Sequence, residues 1–147
     1  MAGTGPTAER EAPAGNAHSV PDECRTLVDW LYHHARCRPD SIVLVETGRS
    51  WTYGDLAEAV QRRATGLRSP QARLISLEAR PTGTFVVDYL ATFAAGHAAL
   101  VGRSLDPDVR RRFEPVLVLD PPGDGSPVAV GEAPPLHPDL ALLLSTS

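Results

Sequence analysis

The chain contains no lysine: all 14 of its basic residues are arginine. That absence excludes a Schiff-base lysine, a Walker-type lysine and every other lysine-dependent chemistry from these residues alone. Cysteine is scarce as well. Cys24 and Cys37 are the two present, too few for a disulfide framework. No run of 18 apolar residues occurs, so nothing reads as a membrane-spanning helix. The first residues lack the charged start and apolar run of a secretory signal, and the expectation is a cytoplasmic protein. An excess of positive charge is missing too. The 18 acidic residues outnumber the basic ones and leave a net charge of −4. That balance argues against nucleic acid or an anionic membrane as partner, since both call for a basic face.

What is present is a chain of 147 residues, 42% of them apolar, with 12 glycines and 14 prolines. The length suits one domain. A chain of this size buries roughly two-thirds of its unfolded surface, so a real core is within reach. Glycine and proline together exceed their combined average of about 12%, so part of the chain is loop or tail. Residues 1–22 hold one large aliphatic side chain, Val20. They bury too little to offset their ordering entropy and read as a disordered tail; a docking peptide is the functional alternative.

From Thr26 the pattern changes. Leu27, Leu31 and Ala35 recur every four residues, which predicts an amphipathic helix ending before Pro39. Ser41–Glu46 and Ala72–Leu77 read as two buried strands. Thr47 to Ser50 is turn material, and Trp51-Thr52-Tyr53 completes a hairpin. Thr52 stands three residues before Asp55, the spacing of a capping box, and Leu56, Val60, Ala64 and Leu67 then share one helical face. Pro81 marks a helix start, Phe85 to Phe93 carry helical spacing, and Gly96 closes that helix. His97–Gly102 predicts a short strand, Asp106-Pro107 opens a short Arg-rich helix to Phe113, and Val116–Leu119 predicts another strand. Asp120–Asp139 is mostly loop with a brief strand at Val128–Val130, and Leu140–Leu144 is a last apolar run. Strands alternating with helices predict an α/β layer structure with a mostly parallel sheet flanked by helices.

Several side chains invite chemistry, each beside a plainer role. His33 and Cys37 stand four apart on the first helix with His34 between them. Cys24-x12-Cys37 is not a zinc spacing, and the reading adopted is an ordinary helix with one exposed His and one half-buried Cys and no metal site. His97 and His137 have no partner visible in sequence and suit satisfied core or surface positions. Arg110, Arg111 and Arg112 could meet a phosphate, yet three consecutive helical residues point three ways. Asp120 ends a strand, where α/β ligand sites gather, but reads better as the cap of a turn before Pro121-Pro122. Gly83 and Gly123-x-Gly125 are the candidates for a glycine-rich ligand loop; neither lies between a strand and a long helix. The hydroxyl run Ser145-Thr146-Ser147 follows an apolar strand directly, as phosphate-binding loops often begin.

Trp51-Thr52-Tyr53-Gly54-Asp55-Leu56 resembles the first core motif of the AMP-forming adenylating enzymes: aromatic or Leu, Thr, Tyr, any residue, acidic, Leu. That superfamily includes acyl-CoA synthetases, adenylation domains of nonribosomal peptide synthetases and luciferases. Arg38-Pro39-Asp40-Ser41-Ile42 resembles the segment leading into the family's first strand. Leu90 to Val101, a helix ending at Ala95-Gly96 with a strand after it, resembles the second motif, and Ser104-Leu105-Asp106-Pro107 fits the Leu-Asp-Pro that comes next. Pro138 to Ser147 resembles the lead-in to the third motif, which the family continues as Gly-Ser/Thr-Thr-Gly-x-Pro-Lys, the ATP phosphate loop. The resemblance covers about Leu27 to Ser147. Two departures stand out: the segment between Pro107 and Val116 is short for the family, and Ala99-Leu100-Val101-Gly102 replaces Tyr-Val-Pro-Leu.

The resemblance implies that residues 23–147 are the N-terminal part of an adenylation domain, cut within the phosphate loop. It implies ATP and Mg2+ as the parent's cofactors and a carboxylic acid as its substrate. Coenzyme A or a phosphopantetheinyl carrier protein would accept the acyl group. Thr146 and Ser147 match positions that contact phosphate, and Ser145 the position just before them. No residue of the first two motifs is catalytic in the family. The expectation is a chain inactive alone, its partner the rest of the ligase. The rival readings are a non-catalytic α/β interaction subunit that complements another polypeptide and an unrelated α/β ligand-binding module.

Overall fold

Two short side chains start the first two long helices. Thr26 accepts a hydrogen bond from the Asp29 backbone N–H, and the Asp29 carboxylate accepts one back from the Thr26 N–H. This capping box begins α1 (Leu27–Cys37), which ends where the Arg38 N–H reaches His34 O, just before Pro39. Thr52 and Asp55 form the same reciprocal pair at the start of α2 (Tyr53–Leu67), as their spacing predicts. Between these helices lies a hairpin of β1 (Ile42–Glu46) and β2 (Arg49–Thr52), antiparallel across a two-residue turn. Gly48 takes φ 79° there, a left-handed conformation that only glycine adopts cheaply.

In the computed structural model the described residues are 24–103, 107–113, 117–119, 128–129 and 136–145. The expected tail over 1–22, Asp120 and Gly123-x-Gly125 lie outside them. The remaining elements are β3 (Leu74–Glu78), α3 (Gly83–Ala94), β4 (Ala98–Gly102), α4 (Pro107–Phe113), β5 (Leu117–Leu119), β6 (Val128–Ala129) and β7 (Leu142–Ser145). They build one sheet in the order β6-β5-β3-β4-β7. β3, β4, β5 and β7 run parallel, and β6 is antiparallel at one edge. This is the expected mostly parallel α/β sheet.

Alternation along the strands sorts two cores. Ile75 and Leu77 of β3 and Ala99 and Val101 of β4 face α1, α2 and α3, with Val60, Leu67 and Ala91 fully or nearly fully buried between them. Leu74, Ala98 and Leu100 face the other way, onto Val109 of α4 and Leu136, Leu140 and Leu143. The helix after β3 thus covers one face and the helix after β4 the other.

Three expectations need correction. β1 is not a buried strand: Ile42 and Val45 are 61% and 69% exposed, because the hairpin stands apart from the main sheet. Helix α3 does not start at Pro81. Its cap is Thr82, whose hydroxyl accepts from the Phe85 N–H, leaving Pro81 one residue outside. The last strand runs to Ser145, because its register with β4 pairs Gly102 with Ser145.

Candidate functional site

In parallel sheets ligands gather outside the carboxyl ends of the strands, where neighbouring strands send their chains to opposite faces. β3 and β4 are such a pair. Their last residues, Glu78 and Gly102, stand in register, and Ser145 extends the same row on β7. The Ala79 N–H donates to Gly102 O at 2.7 Å, fixing the two strand ends against each other. Arg80 follows at once and pairs with Glu78 at 3.1 Å. Ser145 is half-buried at this rim. Thr146 and Ser147 lie outside the described residues.

The start of α3 borders the same rim and is tied to β1 and β2 by one carboxylate. Glu46, at the end of β1, accepts the Gly83 N–H at 2.7 Å on one carboxylate oxygen and the Trp51 Nε1–H at 3.1 Å on the other. These two hydrogen bonds, the Gly83 one foremost, hold its carboxyl below the usual carboxylate range, with a further contribution from Arg49. The Arg49 guanidinium stacks 3.6 Å from the centre of the Trp51 ring. Gly83 is therefore no ligand loop. Its N–H is already satisfied by the chain's own carboxylate, and its missing side chain makes room for Trp51. Sequence reasoning missed Glu46, for no motif joins residues 37 positions apart.

A cavity of about 20 Å³ lies beside this rim, lined in part by Glu78, Arg80, Thr82 and Asp88. It has room for about one water molecule. Asp88 pairs with Arg63 of α2 at 2.7 Å. Burial raises its carboxyl above the ordinary aspartate value, and Arg63 offsets part of that rise. Two larger hollows, about 470 and 360 Å³, share Arg68 and Ala94 at the opposite end of α3, away from the strand ends. The cavity beside this rim is far smaller than the roughly 300 Å³ or more that a nucleotide-sized ligand takes.

Most of the other candidates fall into plainer roles. His97 is 4% exposed; its Nδ1 accepts the Arg73 N–H at 3.3 Å and its Nε2 lies 2.7 Å from Leu67 O. Both nitrogens are thus satisfied by the Nε2–H tautomer of a neutral imidazole. His137 is exposed and its Nδ1 accepts the Asp139 N–H at 3.2 Å. Arg111 pairs with Asp108, and Arg112 lies 5.9 Å from the Phe113 ring centre; the two do not converge. The Arg110 side chain lies outside the described residues. Cys37 Sγ is 3.7 Å from His33 Nε2, while Cys24 stands apart as a free thiol.

Solved structures share this architecture. The N-terminal subdomain of Klebsiella oxytoca NpsA in complex with 3-hydroxybenzoyl-AMSN aligns with a TM-score of 0.61 at 20% identity, over 82% of this chain and 37% of that one. The nonribosomal peptide synthetase FmoA3, in its AMPPNP-bound form, aligns with a TM-score of 0.65 at 21% identity, over 90% of this chain and 17% of that one. E. coli MenE with bound OSB-AMS aligns with a TM-score of 0.54 at 18% identity, over 78% and 25%. No protein-family model and no curated protein matches the sequence. The chain has the fold of the N-terminal subdomain of adenylate-forming enzymes. It spans between 17% and 37% of the length of these three structures.

Proposed function

We propose that the chain is the N-terminal part of an ATP-dependent ligase that activates a carboxylic acid. The reaction joins the carboxylate to the α-phosphorus of ATP and expels pyrophosphate; a thiol, of coenzyme A or of a carrier protein, then displaces AMP to form a thioester. The observation that carries this reading is the place of Ser145. It ends a parallel strand in register with Gly102 and Glu78, so the chain leaves the sheet at the carboxyl rim where such folds bind ligands. The motif order along Leu27 to Ser147 and the likeness to proteins solved with AMPPNP, OSB-AMS and 3-hydroxybenzoyl-AMSN support it.

Adenylation needs MgATP held with its α-phosphate open to the acid, a cation to neutralise developing charge, and exclusion of water. This chain offers the hydroxyls of Ser145, Thr146 and Ser147 and no lysine. No group of three His, Cys, Asp or Glu side chains gathers for a metal among the described residues, so Mg2+ would arrive on the nucleotide's phosphates. We therefore assign the chain no turnover of its own. No helix among the described residues is long and apolar enough to cross a membrane; the cytoplasmic location is part of the proposal.

ATP–pyrophosphate exchange, measured over a panel of carboxylic and amino acids, tests this. The expected result is no exchange above background with the purified chain, and acid-dependent exchange when it is joined to the phosphate loop and remaining domain of a related ligase. Exchange by the chain alone, or none in the joined protein, would overturn the reading. A second reading rests on Leu144, 68% exposed on the edge strand β7. An uncovered apolar edge suits a subunit that docks on another polypeptide. Stable association with a separate ligase remainder, added in trans, would favour it.

A further inference from the structure

We propose that His33 and Cys37 form a two-ligand clasp for a zinc-class cation, apart from the carboxyl rim of the sheet. A tetrahedral zinc ion binds thiolate sulfur at about 2.3 Å and imidazole nitrogen at about 2.0–2.1 Å, which places the two donor atoms about 3.6 Å apart. Cys37 Sγ and His33 Nε2 are 3.7 Å apart. A hydrogen bond between them thus already holds the two donors at the bite of a chelate, and a metal ion would take the place of its proton. Residues four apart on a helix share one face, and here α1 is anchored at its far end by the Thr26–Asp29 capping box.

The surroundings favour a cation. Cys37 is the last residue of α1, where the helix carries its negative partial charge. The thiol is exposed. Of the two neighbouring guanidiniums, Arg38 is turned toward His34 and the Tyr53 ring, its NH2 nitrogen 3.5 Å from His34 Nε2, and Arg36 is exposed. No third His, Cys, Asp or Glu completes the set among the described residues, so water fills the remaining positions. On binding, the thiol proton goes to solvent and a sulfur–metal bond replaces it; no oxidant or reductant takes part.

Cadmium titration of the full chain, with a thiol-free reductant present, reads the thiolate-to-metal charge-transfer absorbance. The expected result is one ion per chain. His33→Asn should weaken binding at least about tenfold, because it turns a chelate into a single ligand. Cys37→Ser should abolish the band, and Cys24→Ser should leave it unchanged. Zinc should also raise the melting temperature of the unaltered chain, since only folded α1 holds the pair at this spacing. The proposal is overturned if the band survives Cys37→Ser, disappears with Cys24→Ser, or is indifferent to His33→Asn.

Discussion

Replacing Gly83 by alanine should destabilise the chain although alanine is the better helix former. The ideal Cβ would lie 2.4 Å from Trp51 Nε1, 2.7 Å from Cε2 and 2.9 Å from Cζ2. Ordinary contact between such atoms is about 3.5–4.0 Å, so the indole must retreat by about 1 Å. It has little freedom to do so. Trp51 is 7% exposed, bonded to Glu46 on one side and stacked under Arg49 on another. Overpacking a filled core costs about 1–3 kcal/mol. The propensity gain of alanine is at most about 1 kcal/mol, and less at a first helical residue. The net expected loss is about 1–2 kcal/mol, with the Glu46 bridge weakened in addition. Urea unfolding followed by tryptophan fluorescence measures it. A double-mutant cycle with Trp51→Leu isolates the cause, because in that background Gly83→Ala should cost nothing or stabilise slightly. A gain in stability from Gly83→Ala with Trp51 intact, equal in both backgrounds, would refute the reasoning.

Other consequences concern caps, an unpartnered hydroxyl and acid. Thr52→Ala should cost about 1 kcal/mol, and Thr26→Ala a similar amount, by removing the hydroxyl that begins each helix; urea midpoints report both. Ser76 is fully buried on the central strand and its Oγ has no hydrogen-bond partner among the described residues, so Ser76→Ala should leave the melting temperature unchanged or raise it. Asp29, Asp55 and Glu46 have carboxyls held below their ordinary values, the first two chiefly by the capping threonines and Glu46 chiefly by the Gly83 N–H. Their contribution is present above the ordinary carboxylate values and is lost as pH falls through the lowered ones. Asp88 is raised by burial and works in the opposite sense, favouring the fold more at low pH. With three groups against one, the melting temperature should fall as the pH drops below about 4. Asp55→Asn should shrink that fall; an unchanged acid limb would contradict it.

Local rules carried most of the fold. The Thr52–Asp55 spacing shows a capping box because both partners lie within one turn, and the alternation of strands and helices shows the layer order because each strand is short and apolar. The same logic applies to Thr26 and Asp29, whose spacing went unread. Distance in sequence is where legibility ended. Glu46 is bound to Gly83 across 37 positions, and nothing about a glutamate at a strand end announces that partner. β1 is apolar like a core strand yet largely exposed. Composition records what a strand could bury, whereas the sheet it joins decides what it does bury. Ser145 stands out in the sequence as the start of a hydroxyl run, but its place at the carboxyl rim depends on the pairing of β7 with β4, which periodicity does not reveal.

The most direct test of the central claim is the DNA sequence immediately downstream of the Ser147 codon. If the chain is the N-terminal part of an acid-activating ligase, that DNA should encode Gly-Ser/Thr-Thr-Gly-x-Pro-Lys, in frame or after one shift. A stop codon followed by nothing of that pattern would contradict it.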